Sequence, residues 1–231
     1  RRVTFHAAHT EFARQIATAC RRNSVRRLIH ISALGVDRAR SKYAKTKLLG
    51  EEVIRDIFPT AVILRPSIIF GPDDNFFNRF ARLARLMPFL PLIGGGKTLF
   101  QPVYVGDVAQ AIVNAATGPD TVKGQTYELG GPDRVTFREI YNRLFAATGA
   151  RRFLIPLPFR LARICARLFQ IFPNPLLTVD QVVSLETDTV VAPEAKTCRD
   201  LGITPVAMDL ILPTYLTPDH SDTAIGDAQR A

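Results

Sequence analysis

The N-terminal part of the chain alternates between helical and strand-like spacing of its hydrophobic positions. Residues 10–22 carry apolar side chains at helical intervals, and residues 25–32 form a short β-rich apolar run that ends in small residues. Residues 41–57 are predicted as a second helix with Ser41 as its cap. Residues 61–65 are predicted as a second strand, which Pro66 ends.

The same alternation continues through the middle of the chain. Residues 75–87 have the spacing of an amphipathic helix, Asp107 is a suitable N-cap for a further helix, and residues 126–129 have the character of a strand. Thr136 and Glu139 have the spacing of a capping box at the start of another helix. Strands that alternate with helices predict an α/β protein with a mainly parallel sheet.

Residues 159–172 are predicted as an amphipathic helix with an unusually wide apolar side. Its polar positions fall three or four residues apart and form one narrow, mostly basic stripe: Arg160, Arg163, Arg167 and Gln170. Two interpretations stay open. Either the helix is buried with its basic stripe in solvent, or part of its apolar face, with its arginines, meets protein subunits or an anionic membrane surface.

Composition and charge narrow the range of partners. The 231 residues are 47% hydrophobic, enough for a sizeable core, and carry a net charge of +9, with +15 in residues 1–174 and −6 in residues 175–231. This field favours anionic partners, but no nucleic-acid-binding motif accompanies it, so we predict no nucleic-acid partner. No apolar stretch approaches the roughly 20 residues of a transmembrane helix, so none is predicted. The three cysteines lie far apart without a CxxC pair, so we predict a reducing compartment. The cysteines and histidines also lack metal-ligand spacing, so we predict no protein-held metal.

The most informative polar side chains end the first predicted strand and open the next helix. Ser32 ends the strand, and Tyr43 and Lys47 lie one turn apart on the same helix face. An ammonium beside a phenol stabilises the phenolate and lowers its pKa from an ordinary value near 10. The spacing also suits a solvent-facing Tyr–Lys contact, but its place after a strand favours an acid–base pair. Pro66 marks the carboxyl end of the second strand, the edge where open α/β sheets bind ligands.

Several segments together resemble the atypical extended short-chain dehydrogenases/reductases. In order, they are VRRLIHISALG, the pair Tyr43 and Lys47, LRPSIIFGPDDNFFNRF, QPVYVGDVAQAI and YELGGPDRVTFREI. The segments FFNRFARLARLMPFLPLIGGGKTLFQPVYVGDVA and PLPFRLARICARLF…PLLTVDQV are most similar to the branch that includes the dehydrogenase-like accessory subunit of respiratory complex I and its bacterial relatives.

The resemblance implies a Rossmann-like, doubly wound parallel sheet that lacks its first strands. Residues 1–130 would form a partial NAD(P)-binding domain. Residues 131–218 would form a small, mainly helical substrate or docking region, and residues 219–231 a flexible tail.

The resemblance also implies residue roles. Tyr43 would be the catalytic acid–base group, and Lys47 would lower its pKa and hold the cofactor ribose. The implied cofactor-binding residues for NAD(P)H are Ser32, Ala33, Tyr43, Lys47, Pro66, Ser67 and Ile68. Leu34, however, stands where relatives place a Ser or Thr that polarises the substrate, and a leucine cannot donate a hydrogen bond. This departure points to cofactor binding with weak or absent turnover.

A second departure concerns the pyrophosphate site. The strand, GxxGxxG turn and helix that open the fold in this superfamily do not occur in residues 1–231. The resemblance therefore implies that residue 1 lies inside the family's domain, and we expect the chain as given to bind NAD(P)H weakly or not at all.

Three functions are compatible with these observations. The favoured one is an NAD(P)H-binding accessory subunit of a membrane-associated NADH:ubiquinone oxidoreductase, with weak or no catalysis of its own. It would be cytoplasmic and peripheral on the cytoplasmic face of a bacterial inner membrane, or on the equivalent matrix face. The alternative is a free-standing NAD(P)-dependent reductase, epimerase or dehydratase that acts on a small carbonyl or nucleotide sugar. A dinucleotide sensor or a decayed gene product is the third.

Overall fold

The computed structural model describes residues 4–172 and 175–216. Its strands are β1 (Ile29–Ile31), β2 (Val62–Pro66), β3 (Ile69–Phe70), β4 (Phe89–Ile93), β5 (Leu99–Phe100), β6 (Val103–Tyr104), β7 (Thr126–Leu129), β8 (Val135–Thr136) and β9 (Phe153–Leu157). Its α-helices are α1 (Phe12–Arg22), α2 (Lys42–Ile57), α3 (Phe77–Leu86), α4 (Val105–Thr117), α5 (Phe137–Thr148), α6 (Phe159–Phe169), α7 (Val179–Ser184) and α8 (Met208–Leu216). A π-helical turn, Ala7–Glu11, runs directly into α1.

A parallel three-stranded sheet in the order β1-β2-β7 carries helices on both faces. Helices α1 and α2 pack with Leu28 and Ala61 into one hydrophobic cluster. Helix α4 packs with Val62 and Leu64 into another. This confirms the predicted Rossmann-like α/β fold, and among the described residues β1 is an edge strand of the sheet.

A third and larger hydrophobic cluster lies beside the central sheet. It is associated with three two-stranded sheets, in which β3 pairs with β6, β4 with β9 and β5 with β8. Its fully buried members include aromatic and aliphatic side chains of α3, α5 and α8: Phe77, Phe137, Ile140, Tyr141, Leu144 and Leu212. The C-terminal region predicted for residues 131–218 shares this cluster with residues 68–100.

Two of the predicted helix starts are confirmed by their caps. The Ser41 hydroxyl accepts a hydrogen bond from the Ala44 N–H (3.2 Å) at the start of α2. Thr136 and Glu139 form the predicted capping box of α5.

The prediction that Asp107 caps α4 is wrong. Tyr104 occupies the cap position with an extended backbone, and Asp107 lies in the first turn. Its carboxylate instead accepts the Val206 N–H (2.8 Å), a contact to a distant segment that local spacing cannot predict.

Helix α6 is shorter and less buried than predicted. It ends at Phe169, whereas residues 159–172 were expected to be helical, and the N–H groups of Ile171 and Phe172 turn back onto carbonyls three residues earlier. Only Ala162 and Ala166 are buried. Apart from the partly buried Phe159, its large apolar side chains and those that follow are exposed: Leu161, Ile164, Leu168, Phe169, Ile171 and Phe172. The interpretation of a helix buried along its apolar side is therefore wrong.

None of the helices within residues 4–172 and 175–216 combines the length and apolar character that crossing a membrane requires. The predicted flexible tail, residues 219–231, lies outside the described residues.

Candidate functional site

The residues predicted to bind the cofactor meet at the carboxyl edge of the central sheet. The Leu34 N–H donates to the Pro66 carbonyl (2.9 Å), and the Ser67 N–H donates to the Leu129 carbonyl (2.9 Å). The segments that leave β1, β2 and β7 are therefore hydrogen-bonded side by side. This edge carries five of the predicted residues: Ser32, Ala33, Pro66, Ser67 and Ile68.

Helix α2 brings the other two predicted residues to the same edge. Lys47 donates from Nζ to the Ile31 carbonyl (3.0 Å), the residue directly before Ser32. Tyr43 lies one turn earlier on the same helix. The structure thus joins the lysine to the end of β1, a contact that the sequence did not predict.

The environment of Tyr43 differs from the sequence expectation in one respect. Burial raises the pKa of Tyr43, whereas the sequence predicted that Lys47 would lower it. The Lys47 ammonium is engaged with the Ile31 carbonyl, and burial lowers the pKa of Lys47 itself. The Tyr43 ring packs edge-on against His9 (centroid distance 5.2 Å), with Phe5 5.9 Å away.

Two polar groups at this edge remain without protein partners. The Ser32 hydroxyl is buried and makes no hydrogen bond with any described residue. The Tyr43 hydroxyl likewise has no hydrogen-bond partner within residues 4–172 and 175–216. Because buried polar groups are normally satisfied, the open Ser32 hydroxyl marks a polar contact that is available to a bound ligand. Leu34 is only 5% exposed and supplies no donor.

A segment from the C-terminal region crosses this edge, and sequence reasoning missed it. The Thr189 carbonyl accepts hydrogen bonds from the Ser67 hydroxyl (3.4 Å) and from the Gln101 N–H (3.1 Å). The Gln101 side chain in turn accepts the Val191 N–H (3.0 Å). No local motif marks residues 189–191, because their role comes from backbone groups.

A second missed feature is a groove of about 250 Å³ between α1 and the free edge of β1. His9 and His30 lie along it with Lys47. His9 Nδ1 is 2.9 Å from the Thr46 hydroxyl, and His30 Nε2 is buried without a partner among the described residues. Burial and the charge of Lys47 lower the pKa of His30 to about 4.

A buried ion network lies next to the site. Arg65 on β2 donates two hydrogen bonds to the Glu51 carboxylate (2.9 and 2.8 Å) and one to Asp37 (2.8 Å). Glu51 is fully buried, and Glu128 on β7 lies 3.7 Å from the same guanidinium. The single arginine in the apolar run of β2 was the available signal, because a buried charge requires a partner.

The N-terminus of α2 is held by a residue far along the chain. The Asp180 carboxylate accepts the N–H groups of Lys42 (2.6 Å) and Tyr43 (3.1 Å). Asp180 was not predicted, and nothing in the sequence near it indicates this contact.

The described residues contain no group of three or more His, Cys, Asp or Glu side chains placed to hold a metal ion.

Comparisons with known proteins bear on the same region. Residues 1–130 match the NAD dependent epimerase/dehydratase family. Mouse (Mus musculus) mitochondrial NADH dehydrogenase (ubiquinone) 1 alpha subcomplex subunit 9 is 36% identical over 213 residues, which cover 91% of this chain and 56% of that protein. The Arabidopsis thaliana protein of the same name is 35% identical over 216 residues, covering 89% of this chain and 54% of that protein. This chain therefore spans about half the length of the curated relatives it matches.

A solved structure shares the fold. The dTDP-glucose 4,6-dehydratase of Bacillus anthracis in complex with NAD superposes with a TM-score of 0.69 at 14% identity, over 91% of this chain and 67% of that one. The resemblance inferred from the motifs is thus confirmed. By its matched residues and its fold, this chain belongs to the NAD dependent epimerase/dehydratase family.

Proposed function

We propose that this chain is part of an NAD(P)H-binding accessory subunit of a membrane-associated NADH:ubiquinone oxidoreductase. The observation that carries the proposal is the similarity to the alpha subcomplex subunit 9 of mouse NADH dehydrogenase over 91% of this chain. The sheet edge at Ser32, Tyr43 and Lys47 supports the nucleotide part of the proposal.

The residues of this edge have distinct roles in the proposed nucleotide site. Lys47 binds the ribose hydroxyls and fixes the end of β1 through its hydrogen bond to Ile31. The hydroxyls of Ser32 and Tyr43 supply polar contacts that the protein itself leaves open. The backbone of Pro66, Ser67 and Ile68 approaches the nicotinamide. The nicotinamide, when bound, supplies hydride-transfer chemistry.

Turnover at this site is weak or absent. Tyr43 is half-buried and this burial raises its pKa, so it holds its proton at neutral pH. Leu34 cannot polarise a carbonyl, and loss of such a donor commonly lowers the rate by about 10²–10³. The site is therefore suited to holding a nucleotide for structural or regulatory purposes.

The subunit docks through residues 159–172, on protein subunits of the complex or on an anionic membrane surface. Leu161, Ile164 and Leu168 recur at three- and four-residue intervals and form one exposed apolar face of α6. Arg160 and Arg167 are also exposed on this helix. An apolar helix face accompanied by cations suits an anionic interface. This placement is peripheral, on the cytoplasmic face of a bacterial inner membrane or on the matrix face.

Two measurements on the full-length protein test the proposal. Titration with NADH and NADPH should show saturable binding that Lys47→Met weakens at least tenfold, while the exposed neighbour substitution Lys45→Met leaves it unchanged. The 231-residue chain on its own should bind weakly or not at all, because residues 1–231 contain no GxxGxxG turn. Deletion of the gene should lower the amount of assembled NADH:ubiquinone oxidoreductase on native gels.

The alternative is a free-standing NAD(P)-dependent reductase, epimerase or dehydratase, which the intact pair Tyr43 and Lys47 favours. In that case the full-length protein turns over a carbonyl or nucleotide-sugar substrate, and Tyr43→Phe lowers kcat by two or more orders of magnitude. Such turnover, combined with unchanged levels of the respiratory complex after deletion, would refute the accessory-subunit proposal.

A further inference from the structure

The start of the helix that carries Tyr43 depends on the C-terminal region. The first N–H groups of a helix have no partner within the helix. In α2, the Ser41 hydroxyl accepts the Ala44 N–H, and the Asp180 carboxylate accepts the N–H groups of Lys42 and Tyr43. A negative charge at this end also stabilises the helix electrostatically. Asp180 thus satisfies two of the open N–H donors of α2. It lies 137 residues after Tyr43 in the sequence.

Asp180 sits on a short helix that also contacts α6, the helix of the proposed docking segment. Helix α7 packs against both α6 and α2. At its start, the Gln170 side chain, just after α6, accepts the Val179 N–H (3.3 Å). Beyond its end, Glu186 pairs with Arg163 of α6. The helix with the exposed apolar face and the helix with Tyr43 are therefore both fixed to α7.

Helix α7 has little stability of its own. It spans six residues, Val179–Ser184, and a helix of that length is not stable in isolation. Its position is set by the buried Val182 and by the contacts to α6 and α2 at its two ends. The order of α7 therefore depends on the order of both α6 and α2.

We propose that Asp180 couples the nucleotide site to the docking surface on α6. Nucleotide bound by Tyr43 and Lys47 holds the start of α2 in place, and through Asp180 this orders α7 and α6. By thermodynamic linkage, a partner that orders α6 strengthens nucleotide binding by the same factor. The coupling rests on the proposed function, because it requires nucleotide at this edge.

Amide hydrogen exchange of the full-length protein, with and without NADPH, measures this coupling directly. In the wild type, NADPH should slow exchange in α2 and also in residues 160–186. In Asp180→Asn, which removes the negative charge and one of the two acceptor oxygens, the effect on residues 160–186 should disappear, and NADPH affinity should fall by about three- to tenfold, within the range of a lost charge at a helix start. Asp180→Glu, which keeps the carboxylate, should restore part of both effects.

Asp200→Asn is the matched control. Asp200 also accepts a backbone N–H, that of Thr197 (2.7 Å), but it caps a local turn near α4 rather than α2. This variant should keep the wild-type response. Glu186→Gln, which weakens the link to Arg163 at the surface, gives a second test if Asp180→Asn folds poorly, and it should reduce the response of α6.

The outcomes separate the coupling from the function on which it rests. If NADPH binds the wild type and protects α2 but leaves residues 160–186 unchanged, the coupling is overturned and the nucleotide site stands. The same holds if Asp180→Asn and Glu186→Gln both keep the full response. If the wild type shows no NADPH binding at all, both the proposed site and the coupling are wrong.

Discussion

Arg65 is the residue on which the polar interior beside the site depends. Its guanidinium donates to Glu51 and Asp37 and lies near Glu128, so it joins β2 to α2, to the loop after β1 and to β7. Desolvating charges is costly, and such a pair stabilises the fold only while both partners are present. The network therefore fixes α2 against the sheet, and with it the position of Lys47, one turn from Glu51.

Removal of one partner of this network should be strongly destabilising. In Glu51→Gln, we expect the free energy of unfolding to fall by about 3 kcal/mol, the low end for a broken buried ion pair, because Asp37 still contacts Arg65. Denaturant unfolding measures the change. The exposed neighbour Glu52→Gln serves as control, with an effect within about 0.5 kcal/mol. Equal stability of the two variants would contradict the structural role of Arg65.

His30 makes the stability of the chain dependent on pH. Its pKa in the fold is about 4, below the ordinary value of 6.5, because of burial first and the nearby Lys47 second. Between these values the unfolded chain binds a proton that the folded chain does not. The stabilisation of the fold by a neutral His30 is therefore complete above about pH 6.5, and it is lost as the pH falls towards 4.

We expect His30→Leu to flatten this pH dependence. Between pH 7 and pH 5, the wild type should lose about 1–2 kcal/mol more of its unfolding free energy than the variant does. Urea unfolding at several pH values gives the difference. His6→Gln changes an exposed histidine just before the π-helical turn Ala7–Glu11, and this variant should keep the wild-type slope. An unchanged slope in His30→Leu would show that His30 is not the titrating group.

At the scale of helices and strands, the sequence predicts where an element begins or ends only when the interaction that fixes that point is local. Ser41 and the Thr136–Glu139 capping box place helix starts correctly because each cap involves groups three residues apart. Asp107 fails as a predicted cap because its carboxylate bonds to Val206, across the fold. The end of α6 was placed three residues too late because its last apolar residues suit either a helix or a turn.

Helix α6 shows the same limit in its packing. Periodicity correctly indicated one wide apolar side, but it could not tell which part of that side the protein covers. In the structure only Ala162 and Ala166 are buried, whereas Leu161, Ile164 and Leu168 are each more than half exposed (51%, 52% and 59%). The large side chains on this helix are therefore available to a partner.

Binding of the full-length protein to vesicles tests the lipid version of docking. We expect co-sedimentation with phosphatidylcholine vesicles that contain cardiolipin, and weaker binding at higher salt. Arg160→Gln with Arg167→Gln should weaken it by about tenfold or more, since each cation near the headgroups contributes about 1 kcal/mol. Arg21→Gln with Arg22→Gln removes the same charge from exposed positions on α1 and is the matched control. Equal, negligible sedimentation of all variants would leave protein subunits as the docking partner.

At the scale of the whole molecule, the position of the candidate site was predictable, but the distant residues that hold it in place were not. The strand ends and the Tyr–Lys spacing place Ser32, Lys47 and Pro66 at one sheet edge, because parallel strands bring their carboxyl ends together. Asp180 and the carbonyl of Thr189 reach that edge through tertiary contacts over more than a hundred residues, which no local pattern encodes. The direction of the pKa shift of Tyr43 was missed for the same reason, since it depends on burial.

The free edge of β1 governs how the 231-residue chain behaves on its own. Within the described residues β1 pairs only with β2, and the groove beside its open side is lined by Phe12 and Ile16 of α1. Both side chains are exposed, by 58% and 38%. An unpaired strand edge next to exposed apolar groups is a template for association with another chain.

We therefore expect the 231-residue chain to associate and to be only marginally stable. Light scattering coupled to size exclusion should show oligomers that grow with concentration, and the melting temperature should lie below about 60 °C, the upper range of mesophilic domains. Phe12→Lys with Ile16→Lys places charge at the open edge and should shift the population towards monomer. Ile112→Lys with Val113→Lys makes the same change at exposed positions of α4, which packs in a different cluster from α1 and does not line the groove, and should leave association unchanged. A monomeric wild-type chain that melts cooperatively above that temperature would show that the β1 edge is not a site of association.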